Sequence, residues 1–179
     1  SGHINKKLLR WLLPVAIVIL SVFLLQAFSS ANTYPIQEIT PRDGLLDIRD
    51  ADAANCVFNI ANEWDFYPAA LYTSEDFASG AAAAKSDPEE SASDTPYGTH
   101  RLRILAQPNR YYTICSFSLD YASRVFVNGS EVAAFGRVAD NAEDFVPQVG
   151  YMTIPMFSGE SGEIEIIYHY GNYVHKDGG

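Results

Sequence analysis

Catalysis and metal binding need His, Cys and carboxylate side chains at spacings that let them converge, and few such spacings occur here. The four histidines are His3, His100, His169 and His175. No two of them stand with a carboxylate at the spacing that places a zinc ligand set on one helix. The acidic pairs Glu89-Glu90 and Glu143-Asp144 fall in polar, loop-like sequence, whereas glycoside hydrolysis needs carboxylates facing each other across a cleft. Asp140 and Asp144, ahead of Pro147, could ligate calcium or stand solvated in a loop. No nucleophile elbow, phosphate-binding loop or dinucleotide fingerprint is present. The residues therefore point to no catalyst, no metal and no cofactor. What remains is stacking chemistry: Trp64, Tyr97, Tyr151 and Tyr173 could supply faces for a sugar or another small ligand. The alternative use of these rings is core and rim.

Charge divides the chain. Lys6, Lys7 and Arg10 give the first 28 residues +3, so the net charge of −10 leaves −13 on the remainder. Phosphate recognition needs clustered Lys and Arg, which excludes nucleic acid as a partner of this body. Anionic headgroups would repel it as well, so membrane attachment must come from the leader. There the basic residues precede an apolar run from Trp11 to Leu25, extending to Phe28 past Gln26. That length lies between a signal-peptide core and a membrane span, and Ser29-Ser30-Ala31 would suit a cleavage site. Residues 1–31 thus read as a signal anchor or a signal peptide, which places the body on the extracytoplasmic side of the cell membrane. Export permits disulfides. A bridge between Cys56 and Cys115 would close a loop of about 60 residues and stabilise by up to ~4 kcal/mol. The other reading is two buried free thiols.

Residues 32–47 carry Pro35 and Pro41 and read as an extended linker. Strand material begins at 56–67, then a short helical turn at Ser74-Glu75-Asp76-Phe77 opened by a Ser cap. Residues 80–94 are rich in Ala, Ser, Asp and Glu without a large apolar residue, which predicts a flexible insert. From Thr99 onward the apolar residues alternate in short runs. Asn128-Gly129 between two of them predicts a type I′ hairpin, a better account of that pair than a glycosylation sequon. At least seven short strands, and no long amphipathic helix in the body, predict an all-β, antiparallel β-sandwich behind one N-terminal hydrophobic helix.

Several motifs occur in a recognisable order. They are Glu63-Trp-Asp-Phe-Tyr-Pro68, Ser74-Glu-Asp-Phe77, Tyr97-Gly-Thr-His-Arg-Leu102, Val127-Asn-Gly129, Phe135-Gly136, Val146-Pro-Gln148 and Gly171–Gly179. Together they resemble the extracellular sensor domain of bacterial seven-transmembrane receptors with diverse intracellular signalling modules. That domain is similar to the sugar-binding jelly roll of family 2 glycoside hydrolases, within the galactose-binding-domain-like fold. The resemblance covers about residues 48–179. It departs at Gly171-Asn172-Tyr173, where the family has Ser-Asn-Phe, and in the 80–94 insert.

The resemblance implies a jelly roll that binds a small molecule, a carbohydrate or a protein partner. It also implies seven membrane helices after Gly179, and beyond them a histidine kinase or nucleotide cyclase. It gives Asn128 and Gly129 a hairpin role, Gly136 and Pro147 a loop-shaping role, and Asn172 and His175 a role in locking the last strand. Gly178 and Gly179 complete the terminal motif. A carbohydrate-binding module of a surface-tethered glycosidase is the rival expectation. An anchoring leader predicts that peptides containing Lys6 or Arg10 are recovered by mass spectrometry from the mature, membrane-extracted protein. A mature chain beginning after Ala31 would identify a cleaved signal instead.

Overall fold

The computed structural model describes residues 6–31, 36–37, 39–53, 57–58, 60, 63–86, 95–118, 122–148 and 150–174. Helix α1, Lys6–Ala31, contains a 19-residue stretch, Trp11–Ser29, of mean hydropathy 2.4. It is exposed along its apolar length and is long and apolar enough to cross a membrane.

The body is mostly strand. In chain order it comprises β1 (Ile36–Gln37), β2 (Leu45–Asp47), β3 (Val57–Phe58), β4 (Asp65–Pro68), α2 (Ser74–Ser79), β5 (Tyr97–Leu105), β6 (Tyr111–Ser118), β7 (Ala122–Val127), β8 (Ser130–Phe135), β9 (Gly150–Phe157) and β10 (Glu163–Gly171). One sheet runs β2-β5-β10-β7-β8, with β4 also paired to β5. A second, two-stranded sheet pairs β6 with β9, and β1 pairs with β3. Leu46, Leu102, Ile104, Val125, Val127, Ile164 and Ile166 from the large sheet meet Met152, Ile154 and Met156 from the small one, making a sandwich-like core.

Two features correct the expectation of a wholly antiparallel sandwich. β2 runs parallel to β5 (Leu45↔Arg103 to Asp47↔Leu105), and β1 runs parallel to β3, so the architecture is mixed. β4 holds one half of the β5 edge antiparallel, leaving the other half to β2. The long stretch of chain between β2 and β5 supplies the crossover that a parallel pair requires. The sheet also takes in residues that read as linker: Pro41, Gly44 and Leu46 are buried.

The far face of the large sheet is covered by the segment around α2. Thr73, one residue earlier than expected, is the N-cap, and Asp76 completes the capping box. The Tyr72 amide donates to Thr99 Oγ1 (3.0 Å), which donates to the Ala70 carbonyl (2.7 Å). Arg101 pairs with Glu165 and lies 4.2 Å over the Phe77 ring. The start of the expected insert is tied down as well. Lys85 reaches Asp65 at 2.7 Å, and the Ser86 amide donates to the Phe66 carbonyl. Residues 87–94 lie outside the described set.

The Asn128-Gly129 hairpin has φ of 48° and 79°, both left-handed as type I′ requires. Asn128 Oδ1 also accepts from the Glu165 amide (2.8 Å), which fastens the turn to β10. Gly136, φ 64°, is constrained twice, because a Cβ there would overlap the Val146 carbonyl oxygen. Gly159, φ 59°, has open space around it. Gly159→Ala should cost about 1–2 kcal/mol from backbone strain alone. Gly136→Ala should cost at least ~3 kcal/mol because the backbone must also move. Urea unfolding of the two variants checks the difference.

Candidate functional site

An open, largely apolar groove of about 590 Å³ lies at one margin of the body. Its floor is core: Ile104, Ile164 and Met156. One wall is Leu46 and Ile48, with Ala53, Val57, Phe58 and Ile60 beyond them. The other is β6 from Tyr111 to Cys115. No lining residue is charged. Among the described residues the small sheet ends at β6, and the groove runs between that strand and the β2–β3 region.

Turns brace one end. Ser158 Oγ donates to the Gln107 carbonyl (2.7 Å), and the Arg110 amide donates back to Ser158 Oγ (3.0 Å). The Gln107 amide donates to the Tyr112 hydroxyl, and Gln107 Nε2 to the Arg49 carbonyl. These bonds fix Tyr112 and the chain after Ile48 relative to each other.

The structure disperses the four rings singled out in the sequence. Trp64 is half-buried against the core, and its indole N–H donates to the Ile60 carbonyl (2.7 Å), so it backs the groove wall. Tyr151 is 65% exposed on the outer side of β9. Tyr97 and Tyr173 lie toward the same end of the large sheet, where Tyr97 pairs opposite Gly171 in the β5–β10 register. The Tyr173 ring lies 5.4 Å from Phe145, and burial, then Tyr97 and Asp140, push its hydroxyl pKa up. Asn141 there donates to Asp140 and Asp144 (3.0 and 3.1 Å). No three His, Cys, Asp or Glu side chains converge as a metal site among the described residues.

Of the motif residues, Asn172 donates its amide to the Pro96 carbonyl (2.6 Å), which holds the end of β10. Gly136 receives Gln148 Oε1 on its amide (3.0 Å), beside an exposed Pro147. His175, Gly178 and Gly179 lie outside the described residues. So does Cys56, while Cys115 is a free thiol and exposed rather than buried. The groove residues Leu46, Ile48, Phe58 and Tyr111 were not singled out by the sequence, since each reads as ordinary strand or linker. Only the alternation through Tyr112 and Ile114 hints that one side of β6 faces a core.

Two histidines of the large sheet are withdrawn from water, His169 buried and His100 half-buried. His100 stacks on Phe66 (4.8 Å between ring centres) and lies near Tyr170, and burial lowers its pKa to about 4. His169 Nε2 donates to the Tyr72 carbonyl (2.7 Å), leaving Nδ1 without a partner. Burial lowers its pKa too. No family model, curated protein or solved structure matches this chain.

Because the folded pKa of His100 is depressed from 6.5, the unfolded chain takes up that proton first as the pH falls. The stability present above pH 6.5 is therefore lost progressively toward pH 4. For His100 alone the loss is roughly 2–3 kcal/mol by pH 4.5. His100→Phe, which keeps a ring in the stack, should flatten this part of the profile. Urea unfolding at pH 7 and pH 4.5 measures it.

Proposed function

We propose that the chain is the extracytoplasmic sensor domain of a membrane-bound bacterial signalling receptor, folded as a jelly roll, with the groove as its ligand site. The observation that carries this reading is an open groove without charge, set in a strongly acidic body behind a membrane-length helix. Its volume falls in the range of small-molecule pockets. Its lining favours an uncharged, largely apolar ligand, because an anion would find no cation to pair with.

The groove touches both layers at once: Leu46, Ile104 and Ile164 from the large sheet, Met156 and β6 from the small one. A ligand there would favour one packing of the layers over another. That bias is what a two-state receptor passes to a kinase or nucleotide cyclase in its parent chain.

A specific observation favours a second reading, a carbohydrate-binding module. Tyr173 packs on Phe145 near Asp140, which Asn141 links to Asp144, and this puts ring faces next to polar groups. A thermal-shift screen of the full chain against apolar metabolites and soluble sugars tests both. At about 100 times its Kd, a ligand stabilises by ~2.7 kcal/mol, a rise of roughly 8–12 °C in Tm. Val57→Trp, at a half-exposed position on the groove wall, should abolish the shift for an apolar ligand and leave the unliganded Tm unchanged. A shift produced only by sugars and removed by Tyr173→Ala would establish the second reading and overturn the first.

A further inference from the structure

The outer face of the small sheet stands out against the rest of the body. Tyr111, Thr113 and Cys115 on β6, and Tyr151, Thr153, Pro155 and Phe157 on β9, are all exposed, while Met152, Ile154 and Met156 between them face the core. No charged residue occupies an outward position, although the body carries −13. Tyr111 is 79% exposed, and its ring packs across the strands on Phe157 at 4.8 Å. Loss of charge together with gain of Tyr and Phe is the composition of an interface core. We propose that this face is where two copies of the chain pair. The inference goes beyond the ligand reading and does not require an occupied groove, although Tyr111, Thr113 and Cys115 also line the groove's rim.

The pattern on the face argues for a second copy over other occupants. β6 presents Tyr111, Thr113 and Cys115, and β9 presents Tyr151, Thr153, Pro155 and Phe157, with rings toward the strand ends and small side chains between. The register places Tyr111 opposite Phe157, so one end of the face carries an aromatic pair. A two-fold axis lying between two such faces and running along the strands sets that pair against its own copy. That self-matching is what an isologous contact demands. A charged partner would find no complement here. A lipid surface is disfavoured too, since the face lacks the Lys and Arg that flank interfacial aromatics and the body is acidic.

Size adds a condition. Two eight-residue strands cover roughly 26 Å by 10 Å. A pair of such faces falls short of the ~1,000 Å² expected of a stable soluble dimer. Pairing therefore depends on α1, which confines copies to one plane and raises their effective concentration.

The test uses the full chain with Cys56→Ser, which leaves Cys115 near the middle of the face as the single thiol. Facing sheets about 10 Å apart put the two Cys115 Cα atoms roughly 11–12 Å from each other, within reach of a short bismaleimide. In proteoliposomes at low protein-to-lipid ratio, at least half of the protein should crosslink as dimer, and Tyr111→Lys should cut that yield at least about fivefold. Monomer alone, or a yield indifferent to Tyr111→Lys, overturns the proposal. Quenching of tyrosine fluorescence by brominated lipid that Tyr111→Lys relieves, without crosslinking, overturns it in favour of the bilayer. Should Cys56→Ser fail to fold, photobleaching steps of the labelled parent chain in supported bilayers decide. Two steps, falling to one in Tyr111→Lys, support the pairing, and one step throughout overturns it.

Discussion

Strand β10 pairs with β5 over nine residues on one edge and with β7 over six on the other, and it carries apolar side chains on both faces. Ile164 and Ile166 point into the sandwich core, while Ile167 and His169 point the opposite way, all essentially without exposure. A strand in that position must be covered twice. The small sheet covers one face, contributing Met152, Ile154 and Met156. The segment around α2 covers the other, although α2 is too short to persist alone. Its order comes from what it touches: Thr99 binds Ala70 and Tyr72, Arg101 and Glu165 hold Phe77 and Ser74, and His169 binds the Tyr72 carbonyl. The polar groups on this side of the sheet are therefore adhesives for a covering segment.

The same requirement explains which charges are kept inside. Asp65 is buried, and Lys85 answers it from the covering segment. An exposed pair of this kind contributes about 1 kcal/mol or less. Removing Lys85 would instead leave a buried carboxylate alone, which costs several times more. The pair matters less as an attraction than as a condition on where residues 81–86 lie. Gly44 belongs to the same arrangement, since a Cβ there would overlap the Asp65 carboxyl.

Legibility in the sequence tracked the range of the interactions. β5 through β10 were readable because alternation reports a strand with one face buried, and Asn128-Gly129 reports its own turn. β2 was not, since three residues between turns show no period and its parallel pairing depends on β5, far along the chain. Thr73 displaced Ser74 as the cap because both are competent and Asp76 fits the capping box only from Thr73. The aromatic candidates went the same way. Trp64, Tyr97, Tyr151 and Tyr173 share a chemistry but not a neighbourhood, and only Tyr97 and Tyr173 lie at the same end of the large sheet. The groove was invisible because its walls come from β2, β3 and β6, brought together solely by the closure of the sandwich.

The layers themselves differ in width, and the groove results from that difference. A two-stranded sheet is too narrow to cover a face built from β2, β5, β10, β7 and β8. The open surface at this margin belongs to Val57 and Tyr111, while Leu46, Ile48, Ile104 and Ile164 beneath it stay buried. Apolar surface left open forfeits about 25 cal/mol for each Å² that a further strand would have covered. In a domain whose net stability is of the order of 10 kcal/mol, an open margin of about 100–200 Å² is a sizeable fraction of the total. The braced turns at Gln107, Arg110 and Ser158 hold β6 in place at that margin. The site and the thinness of the small sheet are thus one feature of the fold: the flank of β6 that would have paired with another strand is the flank that lines the groove.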